Sequence, residues 1–179
     1  AGALLGVATG YLLLTKTNRT EKWITAGLAL LVVCVTFFKS GGFFLFDVDE
    51  AVFSAAAREM AETANLITPT YNYEPRYDKP ILIYWFMSAS LKLFGATEFA
   101  ARFTSGVFGA LLSLMAFFFV KEVKGIQAAL LSTLALLLSV EFFIYSHSAV
   151  TDMTLAFFIT ASLYSFYMGA HTGNNRWFL

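Results

Sequence analysis

Four stretches of the chain are apolar for long enough, or nearly so, to cross a bilayer: 23–46, with Lys39 near its end, 101–120, 126–145 and 154–170. A helix needs about 20 mostly apolar residues to span the hydrocarbon core, so each is predicted to be a transmembrane helix, and residues 1–14 read as the remnant of another. The run ILIYWFMSASLKLF (81–94) follows Pro80 and stops at Gly95, the start and stop signals of a complete helix. At 1.5 Å per residue it would reach only about 21 Å, so it is expected to lie in the interface. Residues 49–64 place Phe53, Ala56, Ala57, Met60 and Ala64 on one helical face and leave Glu50, Arg58 and Glu62 to water, with Arg58 and Glu62 four apart. That pattern predicts a second short helix on the membrane surface. Between the two, NLITPTYNYEPRYDKP reads as an ordered loop, because Pro69, Pro75 and Pro80 hold the residues before them extended. The whole of 47–100 forms one outer loop in this reading.

Composition agrees with a membrane solvent. Of the 179 residues 58% are hydrophobic, 13% are charged and 20 are Phe, and the 12 basic and 12 acidic residues cancel. With no basic field, nucleic acid is excluded as a partner. The single cysteine, Cys34, excludes an internal disulfide and a cysteine-based metal site. The chain opens on Ala inside an apolar stretch and stops after a polar loop, which reads as part of a longer protein. If 81–94 stays in the interface, Lys16, Arg19, Lys22, Lys121, Lys124 and Arg176 all fall on one side, the cytoplasmic one by the positive-inside rule. The acids at 47–50, the loop 65–80 and HSAVTD (147–152) then share the outer face, and the sequon NRT (18–20) is cytoplasmic and unused.

The chemistry-bearing residues gather on that outer face. In FFLFDVDEAVFSAAAREM (43–60), Asp47 can cap the helix with Glu50 at the third position as a capping box, which leaves Asp49 without a structural task. Asp78 and Lys79 stand just before the second short helix, whose free N–H groups and the lysine together form an anion site. Taken singly, Asp78 could be a cap, Lys79 a snorkelling lysine and Asp152 a helix start. Together they supply a base, a cation and a further acid, the set that a reaction on a lipid phosphate requires. Glu141, an acid near the outer end of its span, is a further candidate or simply meets interfacial water four residues from Tyr145, and His147 could ligate a metal near Asp152 or Asp78 or simply be hydrogen-bonded. Gly10, Gly27 and Gly109 allow close helix contacts without forming a GxxxG pair.

DEAVFSAAAREM (49–60), LITPTYNYEPRYDKP (66–80), YWFMSASLKLFGATEFAARF (84–103) and SAVTDM (148–153) resemble, in order and spacing, the N-terminal part of the aminoarabinose transferase and protein O-mannosyltransferase group. The resemblance covers about 43–168. It implies an all-α integral membrane bundle of the GT-C fold with two juxtamembrane helices in the first outer loop. It implies as partners a polyprenyl-phosphate-linked sugar as donor, a lipid A, glycan or protein acceptor, and membrane lipids. The bacterial inner membrane is the implied location, with the active loop periplasmic. By position, Asp49 matches the catalytic acid of the family's Asp-Glu pair and Glu50 its neighbour, Asp152 the acid of the second outer loop, and Lys79 the lysine that binds the donor phosphate. Arg76 is a second candidate for that phosphate, and Asp78 is the candidate ligand of a divalent metal. Three positions depart from the family pattern: Val52 replaces Arg, Phe53 replaces Tyr, and Asp78 replaces Glu before Lys-Pro. The chemistry expected is inverting transfer, with a carboxylate taking the acceptor's proton and a cation holding the departing phosphate. Two rival readings are a non-catalytic subunit that kept the loop and part of a transporter; the latter is disfavoured because the acids cluster at one face instead of mid-membrane.

Overall fold

The structure, a computed structural model, describes residues 19–42, 44–45 and 47–178; the expected partial span 1–14 lies outside them. The elements run α1 (Arg19–Phe37), α2 (Val48–Thr63), β1 (Thr70–Tyr71), β2 (Glu74–Pro75), α3 (Leu82–Phe94), α4 (Glu98–Lys124), α5 (Ile126–Leu137), α6 (Val140–Ser146) and α7 (Asp152–Thr172), followed by a 3₁₀ turn (Asn175–Phe178). Three of them, α1, α4 and α7, are long and apolar enough to cross a membrane, and α5 with α6 makes a fourth if the pair is one span. α3 is apolar but only 13 residues long, as its bounding Pro80 and Gly95 (φ 78°) require.

One expected span ends early, and another is bent. Helix α1 ends at Phe37 instead of running to 46, because Ser40, Gly41 and Gly42 turn the chain, with Lys39 at φ 54°. A Cβ on Gly41 would lie 2.9 Å from Phe99 Cβ, so the turn needs glycine there. The expected span 126–145 is two helices, broken at Leu138 and Ser139, where the Ser139 N–H reaches back to the Leu136 carbonyl in a tighter turn.

The chain forms two compact units. The first holds 19–35, 110–139 and 155–178; in it Phe119 meets Tyr164 and Tyr167 edge-on, both at 5.2 Å, and Lys121 pairs with Glu21 at 3.1 Å. Trp23, Leu30, Leu131, Leu163 and Phe166 are all more than 60% exposed. Apolar side chains on that scale suit a lipid solvent and not water.

The second unit, Thr36–Gly109 with Val140–Thr154, carries the candidate residues. Its core packs Phe53, Ala56, Ala57 and Met60 of α2 against Ile83, Tyr84, Met87 and Leu91 of α3, with Ala100, Ala101, Ala149 and Val150 closing it. The 3.6-residue period of both helices makes that seam, and the small Ala56 and Ala57 let the helices approach. Ala64, expected on the same face, is instead the exposed left-handed cap (φ 56°) that ends α2. Between α2 and α3 the chain forms a two-residue hairpin, β1 to β2, with Asn72 and Tyr73 both at positive φ (53° and 62°). That is the geometry of a type I′ turn.

Candidate active site

Asp47 caps α2 as the sequence predicts: its Oδ1 accepts the Asp49 N–H at 3.2 Å. Asp49, in the first turn, is exposed. Phe53 follows it one turn later on the same side of the helix, and the Lys79 ammonium stands over the Phe53 ring at 6.0 Å. Asp49 and Lys79, 30 positions apart in the chain (79 − 49), are thus both neighbours of Phe53 on α2. Phe53 itself is 2% exposed, in the core that α2 makes with α3.

Glu50 is not a capping-box partner and is not left to water. Successive helical side chains diverge by about 100°, so where Asp49 points outward Glu50 enters the core, fully buried. Its Oε1 accepts Arg102 Nε at 2.9 Å and the Ala149 N–H at 2.7 Å, and its Oε2 accepts Arg102 Nη2 at 3.0 Å. Arg102 also donates to the Ser40 and Phe44 carbonyls, both at 3.0 Å, so the turn after α1 finds its partners in the same guanidinium. Glu50 therefore joins α2 to α4 and to the loop before α7. Asp152 lies three residues beyond Ala149, exposed in the first turn of α7, where the helix dipole favours an acid.

Asp78 does not cap α3, whose N-cap is Ile81 without a side-chain bond. Its Oδ2 pairs with Arg76 Nη2 at 2.9 Å, and Arg76 lies 5.8 Å from the Tyr71 ring centroid. Among the described residues no group of three or more His, Cys, Asp or Glu side chains could hold a metal ion. In this structure the Asp78 carboxylate is engaged by Arg76. His147 takes its hydrogen-bonded reading: Nδ1 contacts the Phe143 carbonyl at 2.8 Å, and the ring stacks on Phe143 at 4.2 Å. Glu141 is exposed in the first turn of α6.

Sequence reasoning missed two buried charged residues. Arg102 had a readable signal, since a lone arginine inside an otherwise apolar helix demands a partner. Glu59 had none: 4% exposed, it accepts the Thr70 hydroxyl at 2.6 Å and the Tyr73 N–H at 3.0 Å, so it anchors the hairpin to α2. A cavity of about 250 Å³ lined by Ala51, Ser54, Ala55 and Arg58 lies on the opposite face of α2 from Asp49.

A family model described as dolichyl-phosphate-mannose-protein mannosyltransferase matches residues 78–179. An Aquifex aeolicus protein of uncharacterized function is 32% identical over 142 residues, covering 78% of this chain and 28% of that protein. The undecaprenyl phosphate-α-4-amino-4-deoxy-L-arabinose arabinosyl transferase of Aeromonas hydrophila is 33% identical over 126 residues, covering 69% of this chain and 23% of that enzyme. The crystal structure of ArnT from Cupriavidus metallidurans bound to undecaprenyl phosphate superposes with a TM-score of 0.74 at 26% identity, over 86% of this chain and 28% of that one. The chain spans about a quarter of the length of these relatives. The architecture is the all-α membrane type of that solved relative.

Proposed function

This chain belongs to the dolichyl-phosphate-mannose-protein mannosyltransferase family, and from that premise we propose that it is the N-terminal part of a membrane glycosyltransferase using a polyprenyl-phosphate-linked sugar. The acceptor is lipid A, as the relationship to aminoarabinose transferases favours, or another glycan or a protein. The observation that carries this reading is the placement of Lys79 over Phe53, one helical turn from Asp49.

The reaction follows from what each group can do. The acceptor's hydroxyl or amine forms a bond to the anomeric carbon while the bond from that carbon to the phosphate oxygen breaks. The polyprenyl phosphate leaves as an anion and needs no strong acid, only a positive partner, which Lys79 supplies. The acceptor's proton passes to the Asp49 carboxylate. Attack from the side opposite the phosphate inverts the anomeric centre. Glu50 is a positioning residue in this scheme: its Arg102 pair fixes the start of α2, and its bond to the Ala149 N–H fixes the loop that leads to Asp152. The loop 47–100 and Asp152 then share the periplasmic face of a bacterial inner membrane.

Transfer of radiolabelled sugar by the full-length protein in proteoliposomes tests the proposal. Asp49→Asn should lower transfer by roughly 10²- to 10⁴-fold, the range for loss of a positioned base, and Lys79→Ala should abolish donor use. Near-normal transfer by a folded Asp49→Asn protein overturns the assignment.

A further inference from the structure

The cavity beside α2 lies away from the proposed chemistry, on the face turned from Asp49. Its walls are apolar and mostly small: Ala51 and Ala55 from α2, Leu91 from α3, Ala96 and Ala101 around the start of α4, and Leu45. In the seam between α2 and α3 the small Ala56 and Ala57 are covered by the facing helix. Around the cavity the alanines instead leave about 250 Å³ open to one side. Apolar walls around an open space favour an apolar guest over water.

Two opposite charges stand in the same lining, Arg58 on α2 and Glu98 at the first position of α4. Arg58 is drawn only weakly elsewhere: its Nε stands 3.6 Å from Glu62 Oε1, beyond good hydrogen-bond distance, with both side chains more than half exposed. The Glu98 carboxylate has no ion-pair partner among the described residues. A purely anionic guest would be repelled by Glu98 and a purely cationic one by Arg58, so the lining suits a guest that carries both signs. Depth narrows the guest further. Glu98 opens α4, a 27-residue helix long and apolar enough to cross a membrane, so the cavity stands at the end of a span, where lipid headgroups lie.

We propose that this cavity binds a zwitterionic phospholipid of the phosphatidylethanolamine type, its phosphate on Arg58, its ammonium on Glu98 and the first part of an acyl chain against Leu45, Leu91 and the alanines. The site is distinct from that of the sugar donor, and the proposal does not rest on the glycosyltransferase reading. A primary ammonium donates hydrogen bonds to a carboxylate, which the trimethylated ammonium of phosphatidylcholine cannot do, so the ethanolamine lipid is preferred.

Lipid retention by the full-length protein tests this, read by native mass spectrometry after release from nanodiscs of phosphatidylethanolamine mixed equally with phosphatidylglycerol or with phosphatidylcholine. The wild type should retain the ethanolamine lipid over either competitor by about fivefold, the effect of one exposed ion pair. Glu98→Gln should erase the preference, and Arg58→Gln should lower retention of all three lipids. Ala55→Leu, which puts a larger side chain into the space, should lower retention of the ethanolamine lipid by a similar factor with an unchanged melting temperature in detergent. Equal retention of the three lipids by the wild type overturns the proposal. So does a preference for phosphatidylglycerol, which would make Arg58 the site of an anionic lipid alone. An Ala55→Leu protein that folds and keeps the preference places the lipid elsewhere and overturns it too. Should Ala55→Leu fail to fold, Glu98→Gln decides alone, and a preference that it leaves intact has the same meaning. Displacement by soluble glycerophosphoethanolamine at equal concentration would show that the apolar walls contribute nothing, and would overturn the assignment to a lipid.

Discussion

Glu50 and Arg102 stand 52 positions apart in the chain and meet as a buried pair, Oε1 to Nε at 2.9 Å and Oε2 to Nη2 at 3.0 Å. Their residual valences are also filled, Glu50 by the Ala149 N–H and Arg102 by the Ser40 and Phe44 carbonyls. A buried pair of this kind need not stabilise more than apolar residues of equal volume would, but breaking it strands a charge, at about 3–5 kcal/mol. Glu50→Ala and Arg102→Ala should each destabilise the protein on that scale. The double variant should lose much less than the sum, because neither charge is then left alone. Unfolding free energies of the three variants in detergent check this, and strict additivity would show that the two residues act independently.

The hairpin between α2 and α3 depends on Glu59. Removing its carboxylate in Glu59→Ala takes away the acceptor for the Thr70 hydroxyl and the Tyr73 N–H together. A loss of about 2–3 kcal/mol is expected, two hydrogen bonds to a charged group being lost while the freed donors regain water. Hydrogen exchange should show residues 70–75 opening first. Uniform exchange along the chain would place the loss elsewhere.

Tyr73 holds a left-handed conformation, φ 62°, that side chains other than glycine adopt at a cost of about 1 kcal/mol. Its N–H bond to Glu59 is made by the backbone and survives substitution. Tyr73→Gly should therefore leave stability unchanged or raise it by up to about 1 kcal/mol, read from the denaturation midpoint. A fall of more than that would mean the exposed ring contributes more than the strain it carries.

The same residues show how far the chain could be read from sequence. The face Phe53, Ala56, Ala57 and Met60, the ends of α3 and the Asp47 cap were legible because they depend on neighbours within a turn. The hairpin was not, because the usual Asn-Gly signal is here Asn-Tyr, with a distant carboxylate holding the strained residue in place. Glu50 was misplaced for the same reason: its partners Arg102 and Ala149 are brought to it only by tertiary packing. The break in 126–145 falls at Leu138 and Ser139, in a run without Pro or Gly to signal it. Lys79 could be assigned by resemblance, but its nearness to Phe53 could only be seen in the fold.

Gly106 is a further close approach, one that composition did not single out. A Cβ there would lie 2.8 Å from Phe37 Cε1, and that ring is itself packed against Phe99 and Phe103. Gly106→Ala should destabilise by about 1–3 kcal/mol through overpacking, despite alanine's better helix propensity. Gly27, with nothing within 4 Å, is the internal control. Gly27→Ala should be neutral or stabilising by up to about 1 kcal/mol, and equal effects at the two positions would contradict the contact.

Tyr84 gives the fold a pH dependence whose sign can be worked out. Burial raises its pKa in the folded protein, with Arg76 pulling the other way and Asp78 adding to the rise, while the unfolded chain keeps the ordinary value of 10.0. Below 10.0 the phenol is neutral in both states, so its contribution to stability is fully present. As pH rises past that point the unfolded state releases the proton first, and stability falls until the folded-state pKa is passed. Lysines titrate in the same region, so the contribution must be read by difference. The gap in unfolding free energy between wild type and Tyr84→Phe should be constant from about pH 7 to 9 and should shift against the wild type above about pH 10. A gap that stays flat through pH 11 would mean that the phenolate is accommodated as readily in the fold as in water.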